Sequence, residues 1–479
     1  MQFNSNVLCQ LIPQVFRSIL AISLLPVYTL ILNAEDFGFF AILTTISAFF
    51  AGIPISGAVY TVSSMVSCED MNRKKGVVTN LVAFVSVSSL LSSCLYYLLS
   101  SFLFKFMSIP FSVNGFPNLA IVVIIFVSPF WVIANVVIVV ARDFKLQAVV
   151  AILDSVVGTG VTLYFLFVLG VGGDALFAGA LAAALVSFVG GVFYLMRWTN
   201  FSISLDGILM QAVLCIKSAP SLAIEKIRNP MQNVMFAKYL GADLVGVFSH
   251  SQQYVNMMRV LVKSAANAIW STSLMEAKGE IGEFKITHKC WRVLHLMATF
   301  AGVFFAVLGQ DFIDVLTNEK FEKAGLFSAI LMIVLMFENM GRAEVAKLYQ
   351  DRLIVVNETA LIFSGVVSLL VLFFTVPVFG LWGGVAAIAA FPVFHRFAVG
   401  IYVRKRYGWG FRDWTALKGA GLILLAILSN NLLGAEAFSR WCMVVILLGC
   451  TIVLFNREAR EMVQYGLVSF RRLFWGSLQ

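Results

Sequence analysis

"LNAEDFGFF", residues 32–40, and "LGADLVGVF", residues 240–248, align without a gap at an offset of 208. Leu32, Ala34, Gly38 and Phe40 coincide with Leu240, Ala242, Gly246 and Phe248, and Glu35 stands opposite Asp243. Each stretch is a short turn between two long apolar runs. A second correspondence, "ALFAG" (175–179) with "GLWGG" (380–384), falls at an offset of 205. Either match alone is a common turn sequence. Two at nearly one offset predict a duplicated chain.

The runs around these turns set the fold class. Of 479 residues 60% are hydrophobic and 12% charged, and mean hydropathy is +0.92. Soluble domains carry about a quarter charged residues, and a spanning helix needs ~20 mostly apolar ones. The chain reads as an all-α polytopic membrane protein. Its runs are too long and continuous for the ~10-residue alternating strands of a barrel. About fourteen spans are expected, at 8–32, 37–66, 77–103, 117–141, 148–169, 175–196, 211–239, 244–270, 291–309, 324–347, 353–375, 379–402, 415–433 and 438–455. Six fall in each copy. An even number gives both copies the same orientation, as parallel repeats about an axis along the membrane normal. The expected division is a first six-helix bundle in 1–200, a second in 207–403, and spans 13 and 14 with an amphipathic tail in 404–479. The tail, "FNREAREMVQYGLVSFRRLFW" (455–475), suits the inner-leaflet surface.

With both termini placed in the cytoplasm, the inner breaks hold 21 Lys and Arg and the outer ones four: Lys105, Lys320, Lys323 and Arg440. Acidic residues divide 11 to 9. Only the cations are biased, as the positive-inside rule requires. The net charge of +9 is therefore mostly an orientation signal and does not call for nucleic acid. Seven scattered cysteines and four dispersed histidines suggest neither disulfides nor a metal site. The longest outer break, "QDFIDVLTNEKFEKA" (310–324), has fifteen residues, too few for a soluble catalytic domain. No P-loop, HExxH or GxSxG motif occurs. The reading is a transporter, not an enzyme, with no cofactor.

"LLPVYTLILNAEDFGFFAIL" (24–43) has an apolar helix, a proline, then L-[GN]-x-E-[DE]-[FY]-G. In this it resembles the opening of polysaccharide transporters of the multidrug/oligosaccharidyl-lipid/polysaccharide (MOP) exporter superfamily, nearest to O-antigen repeat-unit flippases. The resemblance implies two six-helix bundles in a V around a central cavity, with a lateral opening between spans 1 and 8. It also implies alternating access that flips undecaprenyl-pyrophosphate-linked oligosaccharides across the bacterial inner membrane. A polymerase and a chain-length regulator of the same lipopolysaccharide pathway would be partners. A lipid II flippase and a multidrug antiporter of the same superfamily are the alternatives; the latter calls for an acidic, not a basic, cavity.

Within this apolar chain, "LAIEKIRNPMQNVMFAKYLG" (222–241) is dense in charge. At 100° per residue Lys217, Ser221, Glu225, Arg228, Gln232 and Tyr239 share an arc of roughly 80°. On the next span Ser249, Gln252, Gln253, Asn256, Arg259, Lys263, Asn267 and Trp270 form a stripe roughly 120° wide. Such seams cannot face lipid and must meet each other or water. Pro220 and Pro230 interrupt the hydrogen-bond ladder of span 7, which is tolerated beside water or neighbours.

Nine cations lie at membrane depth: Arg17, Lys217, Lys226, Arg228, Lys238, Arg259, Lys263, Arg342 and Arg396. Five acids lie at comparable depth: Asp154, Glu225, Glu338, Glu344 and Glu358. Local pairs are expected between Glu225 and Arg228, Glu338 and Arg342, and Glu344 and Lys347. Nine minus five leaves four positive charges over, all but Arg17 drawn from the second half. Such a set wants an anion, and a pyrophosphate fits arginine's fork. Arg17, Arg228, Arg259 and Lys263, with Arg342 and Lys217, are the expected pyrophosphate ligands. Gln14, Tyr28, Gln232, Gln252, Gln253 and Asn256 would bond sugar hydroxyls. Asp154 and Glu358 sit in equivalent fifth helices and are the candidates for coupling to a proton or sodium gradient, although pairing with a cation is the favoured reading of both.

Overall fold

The computed structural model describes residues 3–55, 71–107, 115–141, 143–200, 202–276, 280–317, 321–339, 344–345, 348, 353–407, 415–433 and 437–455. These form helices α1 (Phe3–Ile31), α2 (Ala34–Gly52), α3 (Met71–Met107), α4 (Phe116–Ala141), α5 (Phe144–Phe167), α6 (Asp174–Met196), α7 (Leu205–Leu240) and α8 (Ala242–Glu276). Then come α9 (Glu280–Val307), α10 (Gly309–Thr317), α11 (Ala324–Asn339), α12 (Ile354–Phe379), α13 (Leu381–Tyr407), α14 (Thr415–Leu433) and α15 (Ala437–Leu454). The described residues contain no strand. Hydrocarbon offers no partner to a peptide group, so a helix that satisfies its own backbone is what these apolar runs must form.

Every expected span holds a helix. The second span, expected to residue 66, is described as helix only to Gly52. Among the described residues, eight helices are long and apolar enough to cross a membrane on those grounds alone, or nine if His295–Val307 and Gly309–Thr317 form one span bent by 69°. The difference from fourteen has a physical source. α7 and α8 carry the polar seams, and Ala324–Glu338, Thr415–Asn430 and Cys442–Leu454 are short apolar helices. α7 runs on through Pro220 and Pro230. The fifteen-residue outer loop needs correction: its first part is α10, an amphipathic helix. Thr29 donates to the Leu316 carbonyl at 3.2 Å, and Arg440 Nη1 donates to both Asp311 oxygens at 2.7 Å.

The same neighbours occur twice. α1 packs on α5 as α7 packs on α12; α2 on α4 as α8 on α11; α3 on α4 as α9 on α11; and α5 on α6 as α12 on α13. Helices α14 and α15 lie outside this scheme, against α9 and, for α14, α11. The two sets meet most closely along α2 and α8. The turns that open both are tight. The Asn33 amide donates to Asp36 Oδ2 at 2.9 Å, and Gly241, at φ 89°, takes the left-handed conformation that lets α7 end and α8 begin within one residue. Asn233 of α7 reaches α2, donating to Thr45 Oγ1 at 2.9 Å. The largest buried apolar cluster spans both sets, with Phe37 against Phe321 at 5.6 Å and Phe236 against Phe248 at 5.0 Å between ring centres.

Candidate functional site

α1 carries Arg17 fourteen residues before its end, about 21 Å down the helix at 1.5 Å per residue. Its Nη2 donates to both oxygens of Asp154 on α5, at 2.6 and 2.5 Å, and its Nε to Ser155 Oγ at 2.9 Å and the Ala151 carbonyl at 3.2 Å. Ser187 of α6 donates to Asp154 at 2.8 Å. Asp154 is buried, whereas the Arg17 side chain is 39% exposed. Nothing among the described residues accepts from Arg17 Nη1.

α8 repeats the device. Arg259 donates from Nε and Nη2 to the two oxygens of Glu338 on α11, at 3.0 and 3.1 Å, and from Nη1 to Asn256 Oδ1. Its side chain remains 29% exposed, and one N–H on each of Nη1 and Nη2 has no acceptor among the described residues. Gln253 and Asn256 on the same seam are exposed. A guanidinium held flat along its Nε–Nη2 edge by a carboxylate has a fixed orientation and presents its other edge.

The expectation that Arg17 and Arg259 lack protein partners is thus corrected: each has a carboxylate, from a helix far away in sequence. Glu338 gives both oxygens to Arg259; Arg342, its expected local partner, lies outside the described residues. Glu344 takes Arg396 Nη2 at 2.7 Å, both side chains nearly sealed, while Lys347 lies outside the described residues. The charge excess is unchanged by this. Removing three pairs from nine cations and five acids leaves six and two, still a difference of four. It now falls among Lys217, Lys226, Arg228, Lys238, Lys263 and Arg342.

Of these, Arg228 of α7 lies over the Phe391 ring of α13, 4.1 Å from guanidinium carbon to ring centre. His395 stacks beyond Phe391 and meets Asn357 Oδ1 at 3.1 Å. Lys238 sits exposed at the end of α7, its ammonium 4.5 Å from the Phe106 ring centre, as a cation reaching toward an interface does. Gln232 is buried. The side chains of Lys217, Lys226, Glu225 and Lys263 lie outside the described residues. Glu358, half-buried, follows Asn357 on α12. Sequence reading missed Ser187 and Phe391, which support the charged groups; an isolated serine or phenylalanine in an apolar run gives no signal.

Two sets of like-packed helices, with two arginines oriented by carboxylates from distant helices, define a multi-pass membrane protein. The chain belongs to the polysaccharide biosynthesis protein family, whose pattern matches residues 27–326. Among curated proteins none matches it in sequence. Its fold is that of MOP superfamily transporters. It is similar to the lipid II flippase MurJ in an inward closed conformation, at 10% identity over 95% of this chain and 99% of that one, with TM-score 0.71. It is also similar to an inward-facing multidrug resistance MATE family transporter of the MOP superfamily (16%, 90% and 100%, 0.56). A point mutant of the MATE transporter VcmN of Vibrio cholerae shares the fold as well (13%, 85% and 98%, 0.55).

Proposed function

We propose that this protein is a flippase that carries undecaprenyl-pyrophosphate-linked oligosaccharide repeat units, precursors of surface polysaccharide such as O-antigen, across the bacterial inner membrane. The two six-helix lobes, residues 1–200 and 207–403, would alternate access to a chamber between them, with both termini in the cytoplasm. Family membership supports the substrate class. The single observation that carries the mechanism is the matched pair of arginines, Arg17 with Asp154 and Arg259 with Glu338, each anchored on one edge and partly exposed on the other. A charged edge cannot be left to hydrocarbon, so it faces a wet chamber, where a pyrophosphate oxygen meets pre-aimed donors. Arg228 adds a third cation from α7, and Lys217, Lys263 and Arg342 supply the remaining excess of charge. Gln253 and Asn256, exposed beside Arg259, address sugar hydroxyls, with Gln232, Gln252, Gln14 and Tyr28 on the flanking helices.

Three serine or arginine donors hold Asp154 as a carboxylate partner, which favours a pairing role; coupling to a proton or sodium gradient through Asp154 or Glu358 is tested by removing each gradient in turn. Export stands as the function if cells lacking the protein accumulate lipid-linked repeat units on the cytoplasmic face and the wild-type gene, but not R17A/R259A, clears them. Normal clearance by a membrane-inserted R17A/R259A protein refutes the arginine grip. The lipid II reading, which the MurJ-like fold keeps in view, predicts accumulation of the peptidoglycan precursor instead. A cation antiporter would need net acid, whereas the membrane-depth residues of the sequence count nine cations to five acids.

A further inference from the structure

The duplicated turn does more than mark the repeat. Within it each copy carries a small residue, three others, then glycine: Ala34 to Gly38 and Ala242 to Gly246. These are the residues through which α2 and α8 touch. A Cβ placed on Gly38 would overlap the Ala242 carbonyl and lie 3.2 Å from the Gly246 amide nitrogen. One placed on Gly246 would overlap the Ala34 carbonyl and lie 3.2 Å from the Ala34 Cα. The contact is reciprocal: each copy's glycine receives the other copy's alanine, as in a symmetric dimer, although both copies belong to one chain. Small residues four apart let two membrane helices approach backbone to backbone, where many weak Cα–H···O and dispersion contacts sum. Aromatic side chains close over the junction, Phe37 meeting Phe321 and His250, the latter two rings 4.3 Å apart between centres.

We infer that the paired A-x-x-x-G segments form a self-docking latch that shuts the chamber on the side of the α1–α2 and α7–α8 turns, and that this latch parts when the chamber opens to that side. This rests on the flippase reading and deepens it. The location fits a gate: Arg17 lies fourteen residues from the end of α1 and Arg259 seventeen residues into α8, about 20–25 Å from the junction along their helices. No side chain is interposed at the latch, only backbone and methyl groups. Such a joint has no ion pair or buried hydroxyl to desatisfy on separation, unlike the Asn233–Thr45 bond beside it, so it can open and re-form at small cost.

The test uses the full-length protein with its seven cysteines replaced by serine. Spin labels on E35C and D243C, both exposed beside the latch, report its width in lipid nanodiscs. Gly38→Leu and Gly246→Leu should each lengthen the distance by about 2 Å or more, the displacement needed to restore ordinary contact, and by similar amounts because the contact is reciprocal. Gly76→Leu, where a Cβ meets nothing within 4 Å, should leave it unchanged. Should a leucine variant fail to fold, the alanine variants serve at a smaller shift. In cells, a bifunctional maleimide bridging E35C and D243C should abolish export, while each single-cysteine protein treated alike should export normally. Unmoved labels in both glycine variants, or undiminished export by the bridged protein, overturns the latch. If even the untreated protein exports no lipid-linked glycan, the flippase reading falls and the label distances alone judge the glycine contact.

Discussion

Replacing Asp154 with asparagine and with alanine should push ligand affinity in opposite directions. Asp154 both orients Arg17 and competes with any anion for it. Asparagine keeps an acceptor for Ser187 Oγ, 2.8 Å away, and for Arg17 Nη2, but removes the negative charge. A guanidinium and a carboxylate ~4 Å apart attract by about 4 kcal/mol at an effective dielectric constant of 20. Arg17 is 39% exposed, so screening by water reduces this to about 1–2 kcal/mol. Freed of that competitor, Arg17 should bind a pyrophosphate about 5–30-fold more tightly. Alanine instead takes from Arg17 the carboxylate that orients its Nη2 and from Ser187 its acceptor, so affinity should fall below wild type. Calorimetric titration of undecaprenyl pyrophosphate into nanodiscs measures both, with thermal melting as a check on folding. Equal weakening by D154N and D154A would mean that Asp154 is purely structural, and no change in either would remove Arg17 from the site.

Further outcomes follow from other contacts. Glu344→Ala takes the carboxylate from the nearly sealed Arg396 guanidinium, and loss of one partner of a buried pair costs about 3–5 kcal/mol, so the melting temperature should drop markedly, whereas E344Q should drop it less; equal melting refutes the pair's burial. Phe391→Leu removes the ring under Arg228, a contact worth about 0.5–2 kcal/mol. Transport should show a higher KM with little change in maximal rate, and F391W should restore it where a purely packing role would not. Orientation is checked by an impermeant maleimide applied to intact cells. A cysteine at the exposed Glu322 should react from outside, and one at the exposed Ser202 should not. The reverse labelling inverts the topology.

The sequence makes the helices legible because hydrocarbon leaves the backbone one solution, and the paired turns at 32–40 and 240–248 expose the duplication in advance of any contact. Side-chain partners are less accessible. Arg17 and Asp154 stand 137 residues apart and Arg259 and Glu338 stand 79 apart, while sequence inspection reaches only local spacings such as Glu338 to Arg342. That bias toward neighbours is why two arginines expected to lack partners turn out to be anchored. α10 was equally obscure, since nine amphipathic residues beside Asn318 and Glu319 read as a loop until α1 and Arg440 are seen to hold them.

The attachment of α14 and α15 makes the molecule lopsided. Among the described residues they rest on α9 and α11, and Arg440 ties α15 to α10, so both accessory helices are cargo of the carboxy-terminal lobe alone. If the lobes rock, one swings with a flank of extra mass and the other slides bare through lipid. A protein bound to those two helices would therefore sense the stroke from one side only, as a hand on one oar does.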